Sequence, residues 1–223
     1  MNALIELRRR YPWPREVPDV PADDHGWFRA CNGRVLSRFL GPGSRLVVEL
    51  GSWLGKSTRF IAAQASKATV IAIDHWRGSP EHQRPERTDV RDRLPRLYET
   101  FLRNCWPWRD RIVPMRTNTV AGMHELAGLG LAPELVYVDA GHDLAGVLAD
   151  LRTAITLFPA AQLVGDDYAT FPGVQDGVGR IARAYGLNVE VDENAWILHP
   201  RLTAVPNGPR AAGDEVQNSR TGS

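Results

Sequence analysis

Apolar residues along the chain gather in short β-branched runs, separated by longer stretches with helical period. The runs lie at Arg45–Leu50, Thr69–Ile73, Arg111–Met115, Leu135–Val138 and Gln162–Gly165. Their length and their Val/Ile content are those of buried strands. Between them the spacing predicts helices over Ser57–Ala65, Val90–Asn104, Val120–Ala127 and Leu144–Phe158. The last is the clearest, with Leu144, Val147, Leu148, Leu151, Ile155 and Phe158 along one stripe. A further helix over Val174–Tyr185 leads to two strands near Leu187–Val191 and Ala195–His199. Strands alternating with helices imply parallel βαβ units, and two strands in succession at the end imply an antiparallel edge. The pattern therefore predicts an α/β fold: a doubly wound, mostly parallel sheet of seven strands with an antiparallel edge strand and helices on both faces.

The ends read differently. Residues 1–40 predict an N-terminal arm and a helix. The arm, Tyr11 to Asp24, carries four prolines, and Trp27, Ala30, Val35, Leu36 and Phe39 could face a core as a helix between Gly26 and Leu40. The sheet domain is expected over 41–202. From Thr203 the composition turns polar and rich in Gly, Pro and Ser, which predicts a disordered tail over 203–223. Within the domain, 75–108 is longer than one helical connection needs and is a candidate lid, in which His75, Trp76 and His82 could cover a ligand.

Composition narrows the function classes. The 223 residues suit one α/β domain with additions. Lys+Arg (27) nearly balance Asp+Glu (26), which argues against a dedicated nucleic-acid binder. No apolar stretch approaches membrane-span length, and the first residues do not form a signal peptide. Cys31 and Cys105 are too few for a disulfide framework and read as free thiols in a reducing cytoplasm. The sequence leaves room for a homo-oligomer.

In a doubly wound sheet the ligand sits at the carboxyl ends of the strands. After the first strand comes Glu49-Leu50-Gly51-Ser52-Trp53-Leu54-Gly55-Lys56-Ser57-Thr58. Gly51 and Gly55 permit a tight turn, and the following helix N-terminus favours a negative group. Gly55-Lys56-Ser57 mimics the end of a nucleotide-phosphate loop, but the position requiring the first glycine is Leu50, which argues against an NTPase. The second strand ends in Asp74, a carboxylate placed to accept ribose hydroxyls, though the loop is not the glycine pattern of NAD sites. The fourth strand runs into Asp139-Ala140-Gly141-His142-Asp143 and the fifth into Asp166-Asp167-Tyr168. Three carboxylates at adjacent strand ends repel unless a cation or protons neutralise them, and their hard oxygens suit Mg²⁺. His142 beside them is a candidate general base, expected to titrate near the ordinary histidine value.

Glu49-x-Gly51-x-x-x-Gly55-x-Ser57, followed by Asp74, resembles the first two motifs of class I S-adenosylmethionine-dependent methyltransferases. The run from Asp139 through Gly165-Asp166-Asp167 to Phe171-Pro172-Gly173-Val174 resembles the macrocin O-methyltransferase and cephalosporin-hydroxylase-like group of small-molecule enzymes. It is more distantly similar to the metal-dependent catechol O-methyltransferases, from which it departs by having His142 in place of a lysine. The resemblance spans roughly Leu46 to His199. It implies a Rossmann-like fold, S-adenosylmethionine as cofactor, Mg²⁺ as an assisting ion and a small-molecule or sugar hydroxyl as acceptor.

On that resemblance, Glu49, Gly51, Ser52, Trp53, Gly55, Ser57, Asp74, His75, Asn118 and Asp139 would hold the cofactor. Asp139, Asp166 and Asp167 would hold the metal, and His142 would take the proton. Asp74 is expected to matter for the ribose and little for folding. Two rival readings are a non-catalytic ligand-binding module on the same fold and a phosphate-loop NTPase.

Overall fold

The computed structural model describes residues 2–200; the tail expected over 203–223 lies outside them. Seven strands form one sheet: β1 (Leu46–Leu50), β2 (Thr69–Asp74), β3 (Ile112–Arg116), β4 (Leu135–Val138), β5 (Gln162–Gly165), β6 (Leu187–Asp192) and β7 (Ala195–Pro200). Their order is β3-β2-β1-β4-β5-β7-β6. The first five pair in parallel, while β7 runs antiparallel to β5 and β6 antiparallel to β7. The Rossmann-like sheet is thus as expected, with β7 carrying the antiparallel step and β6 at the rim.

Side-chain alternation along β1 sorts the two faces. Leu46, Val48 and Leu50 join Ile71, Ile73 and Val136 in a core under α6 (Thr119–Gly128), α7 (Leu144–Leu157) and α8 (Pro172–Tyr185). Val47 points the other way with Val70 and Ala72, into a core under α2 (Ala30–Ser37), α3 (Lys56–Gln64) and α5 (Leu97–Cys105). Glu49 shares the parity of Val47, and its backbone position is fully buried. Strand order turns between β1 and β4, so the crevice beyond their carboxyl ends is the natural ligand site.

Three stretches differ from the sequence expectation. Residues 3–10 form a helix, α1 (Ala3–Arg10), where only an arm was expected. The Asn2 side chain accepts from Leu4 N–H, Glu6 pairs with Arg9 and Arg10, and Leu7 is buried in the first core. The helix expected between Gly26 and Leu40 is confined to α2. The single helix expected over Val90–Asn104 is broken into α4 (Thr88–Arg91), a 3-10 turn at Leu94–Arg96 and α5. Pro95 removes a backbone donor there, so the first helix cannot propagate through it. Among the described residues no helix is long and apolar enough to cross a membrane.

Candidate active site

The loop after β1 and the residue after β4 touch. A Cβ on Gly51, whose φ is +82°, would stand 2.0 Å from the Asp139 carbonyl oxygen. Only glycine lets the two strand ends approach so closely. Two cavities open on either side of this contact, of about 510 Å³ and 300 Å³, and Gly51, Trp53, His82, Asp139 and Ala140 line both. The smaller contains Asp74, His75, Asn118 and Asp150; the larger contains Ser52, Ser57, His142 and Asp167.

Asp74 is more heavily committed than a ligand-facing carboxylate would be. Its Oδ2 accepts from the backbone N–H of Ser52 and of Trp53, both at 3.0 Å, and its Oδ1 from Trp76 N–H at 2.6 Å. It therefore pins the glycine loop to β2, which overturns the expectation that it matters little to folding. About one of its four acceptor positions stays open towards the smaller cavity. Asn118 spends its side-chain oxygen capping α6, accepting from Val120 N–H and Ala121 N–H.

Glu49 lines neither cavity. Its Oε2 accepts from Ser52 Oγ at 2.6 Å and from Thr58 Oγ1, and burial pushes its pKa up to about 7 against those hydroxyls. Through Oε2 it braces the loop from behind, while its buried Oε1 has no partner among the described residues. Gly55 is likewise a packing residue: a Cβ there would sit 2.4 Å from Cys105 Sγ.

The acidic strand ends divide in two. Asp166 is buried and saturated, with Asn32 Nδ2 at 2.6 Å on Oδ2, and Asn194 Nδ2 at 2.8 Å and Asp167 N–H at 2.7 Å on Oδ1. Its neighbour Asp167, held at φ +67°, aims instead at His142, with Oδ2 at 2.9 Å from Nε2. The compact group is Asp139, His142 and Asp167, whose ligand atoms lie within 4.8 Å of one another. The expected trio of carboxylates is thus replaced by two carboxylates and an imidazole, because strand alternation and the amides of Asn32 and Asn194 turn Asp166 away.

Charge in this group is unevenly compensated. Burial, and then the neighbouring Asp166 and Asp167, push the Asp139 carboxyl well above the usual carboxylate range. Among the described residues, the hydroxyl that reaches it is that of Tyr137, at 3.5 Å. His142 is opposite in sense. Burial pulls its pKa down, yet Asp167 and Glu81 outweigh that and raise it to about 9. Glu81 Oε1 lies 2.5 Å from Nδ1, and the ring stacks on Phe171 with centroids 4.0 Å apart. An imidazole titrating near its ordinary value is therefore not what the fold makes; this one holds its proton at neutral pH. Glu81, on the 3-10 turn Pro80–Gln83, had no signal in the sequence, where it reads as one acid in a mixed charge run.

Comparison with known proteins gives the family and the fold. A model of a family described as a methyltransferase domain matches residues 48–168. No curated protein matches the chain. Among solved structures, precorrin 8W decarboxylase of Methanobacterium thermoautotrophicum superposes at TM-score 0.55 and 15% identity, covering 84% of this chain and 96% of that one. The methyltransferase MycE of the mycinamycin pathway, in complex with Mg, SAH and mycinamycin VI, superposes at 0.52 and 16%, covering 92% and 57%. A TDP-rhamnose 3′-O-methyltransferase of calicheamicin biosynthesis superposes at 0.51 and 13%, covering 77% and 81%. At these identities the likeness is one of fold.

Proposed function

The chain belongs to this methyltransferase-domain family of S-adenosylmethionine-dependent enzymes, and on that premise we propose that it methylates a hydroxyl of a small molecule or sugar, with Mg²⁺ assisting. The observation that carries the reading is the position of His142. It is fixed between Asp167 and Glu81, beside Asp139, in the larger of two cavities that meet at the end of β1 and β4.

The smaller cavity suits the nucleoside, with the remaining acceptor position of Asp74 for a ribose hydroxyl and Asn118 and His75 at its wall. The methionine end would pass Gly51 and Ser52 into the larger cavity. When bound, S-adenosylmethionine supplies a methyl group on a sulfonium, and transfer is an in-line displacement whose catalysis rests on alignment and a deprotonated nucleophile. His142 would take the hydroxyl proton in its neutral form, on a nitrogen freed from one of its two carboxylate contacts, Glu81 on Nδ1 or Asp167 on Nε2. Asp167 and Glu81 orient the imidazole and stabilise its protonated form. Phe171 fixes the ring plane, and the Pro80–Gln83 turn screens the site from water.

The donor set fits a divalent cation. Asp139 and Asp167 present oxygens, and among the described residues the half-buried Asp139 carboxylate has only the Tyr137 hydroxyl, at 3.5 Å, to offset its charge. Asp139 and Asp167 would hold Mg²⁺, which would lower the pKa of an acceptor hydroxyl nearby. Calorimetry with S-adenosylmethionine, S-adenosylhomocysteine and ATP tests the reading. Binding of both sulfur compounds and no ATP is expected; ATP binding alone would sink it in favour of an NTPase. The buried, unpaired thiols of Cys31 and Cys105 support a cytoplasmic setting for the reaction.

A further inference from the structure

The larger cavity carries more than the reacting group, and its remaining walls are of two kinds. One is aromatic. Trp27, Trp53, His82 and Phe171 face it, the Trp27 and His82 rings lying 10° from parallel and the Trp53 and His82 centroids 4.8 Å apart. Trp27 is 44% exposed although large and apolar, so part of its indole borders the cavity beside the His82 ring stacked on it and the Arg87 guanidinium above it. Trp53 adds an unspent donor: its indole N–H is enclosed and has no partner among the described residues.

The other wall is cationic. Of the cavity's charged groups, Glu81 and Asp167 pair with His142, Asp139 lies beside them, Arg29 stands 3.4 Å from Asp166 and Asp167, and Lys56, Arg84 and Arg87 complete the lining. These three cations are weakly engaged. Among the described residues no carboxylate oxygen lies within 4.0 Å of the Arg84 guanidinium, which is exposed. Arg87 meets Asp89, itself 57% exposed, at 3.3 Å and lies 5.9 Å over the Trp27 ring. Lys56 donates to the Asp24 carbonyl oxygen at 3.3 Å and meets its carboxylate at 3.8 Å, and that carboxylate is also paired with Arg59. Exposed pairs of this kind contribute little, so exchanging them for a ligand's anion costs little. Arginine beside an indole also suits a flat, charged ligand. One short segment, 81–87, thus reaches the base through Glu81 and carries two of the cations.

Resting on the methyltransferase reading above, we propose that the acceptor is an aromatic hydroxyl compound with an anionic substituent, its hydroxyl at Asp139–His142–Asp167, its ring on Trp27 and Trp53, and its anion at Arg84, Arg87 and Lys56. A neutral sugar would leave the cations unused, and a sugar phosphate would leave the indole faces to a less apolar partner.

The test is calorimetry on the full chain saturated with S-adenosylhomocysteine, using 4-hydroxybenzoate, 4-hydroxycinnamate, the amide of each, and glucose 6-phosphate. At least one acid should bind tenfold or more tightly than its amide, a difference of about 1.4 kcal/mol, and glucose 6-phosphate should bind no better than the amides. Arg84→Gln/Arg87→Gln should erase that preference with affinity for S-adenosylhomocysteine intact, and Arg84→Lys/Arg87→Lys should keep part of it. Equal binding of acid and amide, a preference surviving in the glutamine variant, preferred binding of glucose 6-phosphate, or no binding of any probe overturns the proposal. Failure of S-adenosylhomocysteine itself to bind overturns the methyltransferase reading instead, and the proposal with it.

Discussion

Removing the Asp74 carboxylate should cost both fold and cofactor affinity, in proportions that the geometry sets. Three backbone N–H groups donate to it, from Ser52, Trp53 and Trp76. Hydrogen bonds to a charged group contribute roughly 1.5–3 kcal/mol each, but this carboxylate borders a cavity that water can enter, so part of the loss is replaced. Asp74→Ala is therefore expected to lose about 3 kcal/mol of stability. Asp74→Asn is expected to lose less, about 1–2 kcal/mol, because its amide oxygen can still accept from Ser52 and Trp53 while its NH₂ faces the Trp76 N–H. One acceptor position is open to a ribose hydroxyl, so affinity for S-adenosylhomocysteine should fall by roughly tenfold to a hundredfold in either variant. Urea unfolding with and without saturating S-adenosylhomocysteine, together with calorimetry, separates the two effects. An Asp74→Ala protein as stable as the parent would refute the loop-pinning argument. Unchanged affinity in a folded variant would remove Asp74 from the cofactor site.

Four further outcomes follow from the acidic strand ends. In the metal-free protein His142 should hold its proton until about pH 9; an NMR titration of its imidazole in EDTA reads this directly, and a midpoint near the ordinary 6.5 contradicts the pairing with Asp167 and Glu81. Because its folded pKa is raised above the ordinary 6.5, the pairing with Asp167 and Glu81 stabilises fully below pH 6.5 and is lost as pH rises through 9. It is worth roughly 3 kcal/mol; urea midpoints at pH 6 and pH 10 should converge in His142→Gln, and parallel pH slopes in parent and variant would reject the coupling. Asp166→Ala should destabilise by several kcal/mol, on the order of 3 or more, since it strands the amides of Asn32 and Asn194. Asp167→Ala should cost less stability and most of the turnover, and the reverse ordering would exchange their roles. EDTA should abolish methyl transfer and Mg²⁺ restore it; full turnover in EDTA rejects the metal and leaves the cofactor assignment standing.

What could be read from the sequence was what lies close along the chain. Strand runs and helix stripes are local periodicities, so all seven strands fall within a residue of their expected places. α1 is equally legible, since Asn2 caps it and Glu6 faces Arg9 and Arg10 on one turn, but its few apolar residues make too short a stripe to mark a helix by themselves. Glu49 was half legible. The alternation that buries Val47 under α3 carries Glu49 to the same side, where Thr58 meets it, and that parity is visible in LVVEL without any structure. The choice between Asp166 and Asp167 was not visible, because Asn32 and Asn194 decide it from 134 and 28 residues away. The charge state at the site is more remote still. An isolated imidazole would titrate near its ordinary value, and it is Glu81, 61 residues upstream, together with Asp167 across the next strand, that keeps the proton on His142. Sequence motifs mark where the chemistry sits, whereas the protonation state that decides how it runs depends on contacts between distant segments. The same segment that brings Glu81 to the imidazole carries Arg84 and Arg87 to the cavity, so an acceptor bound by those arginines would also bear on how the base is held.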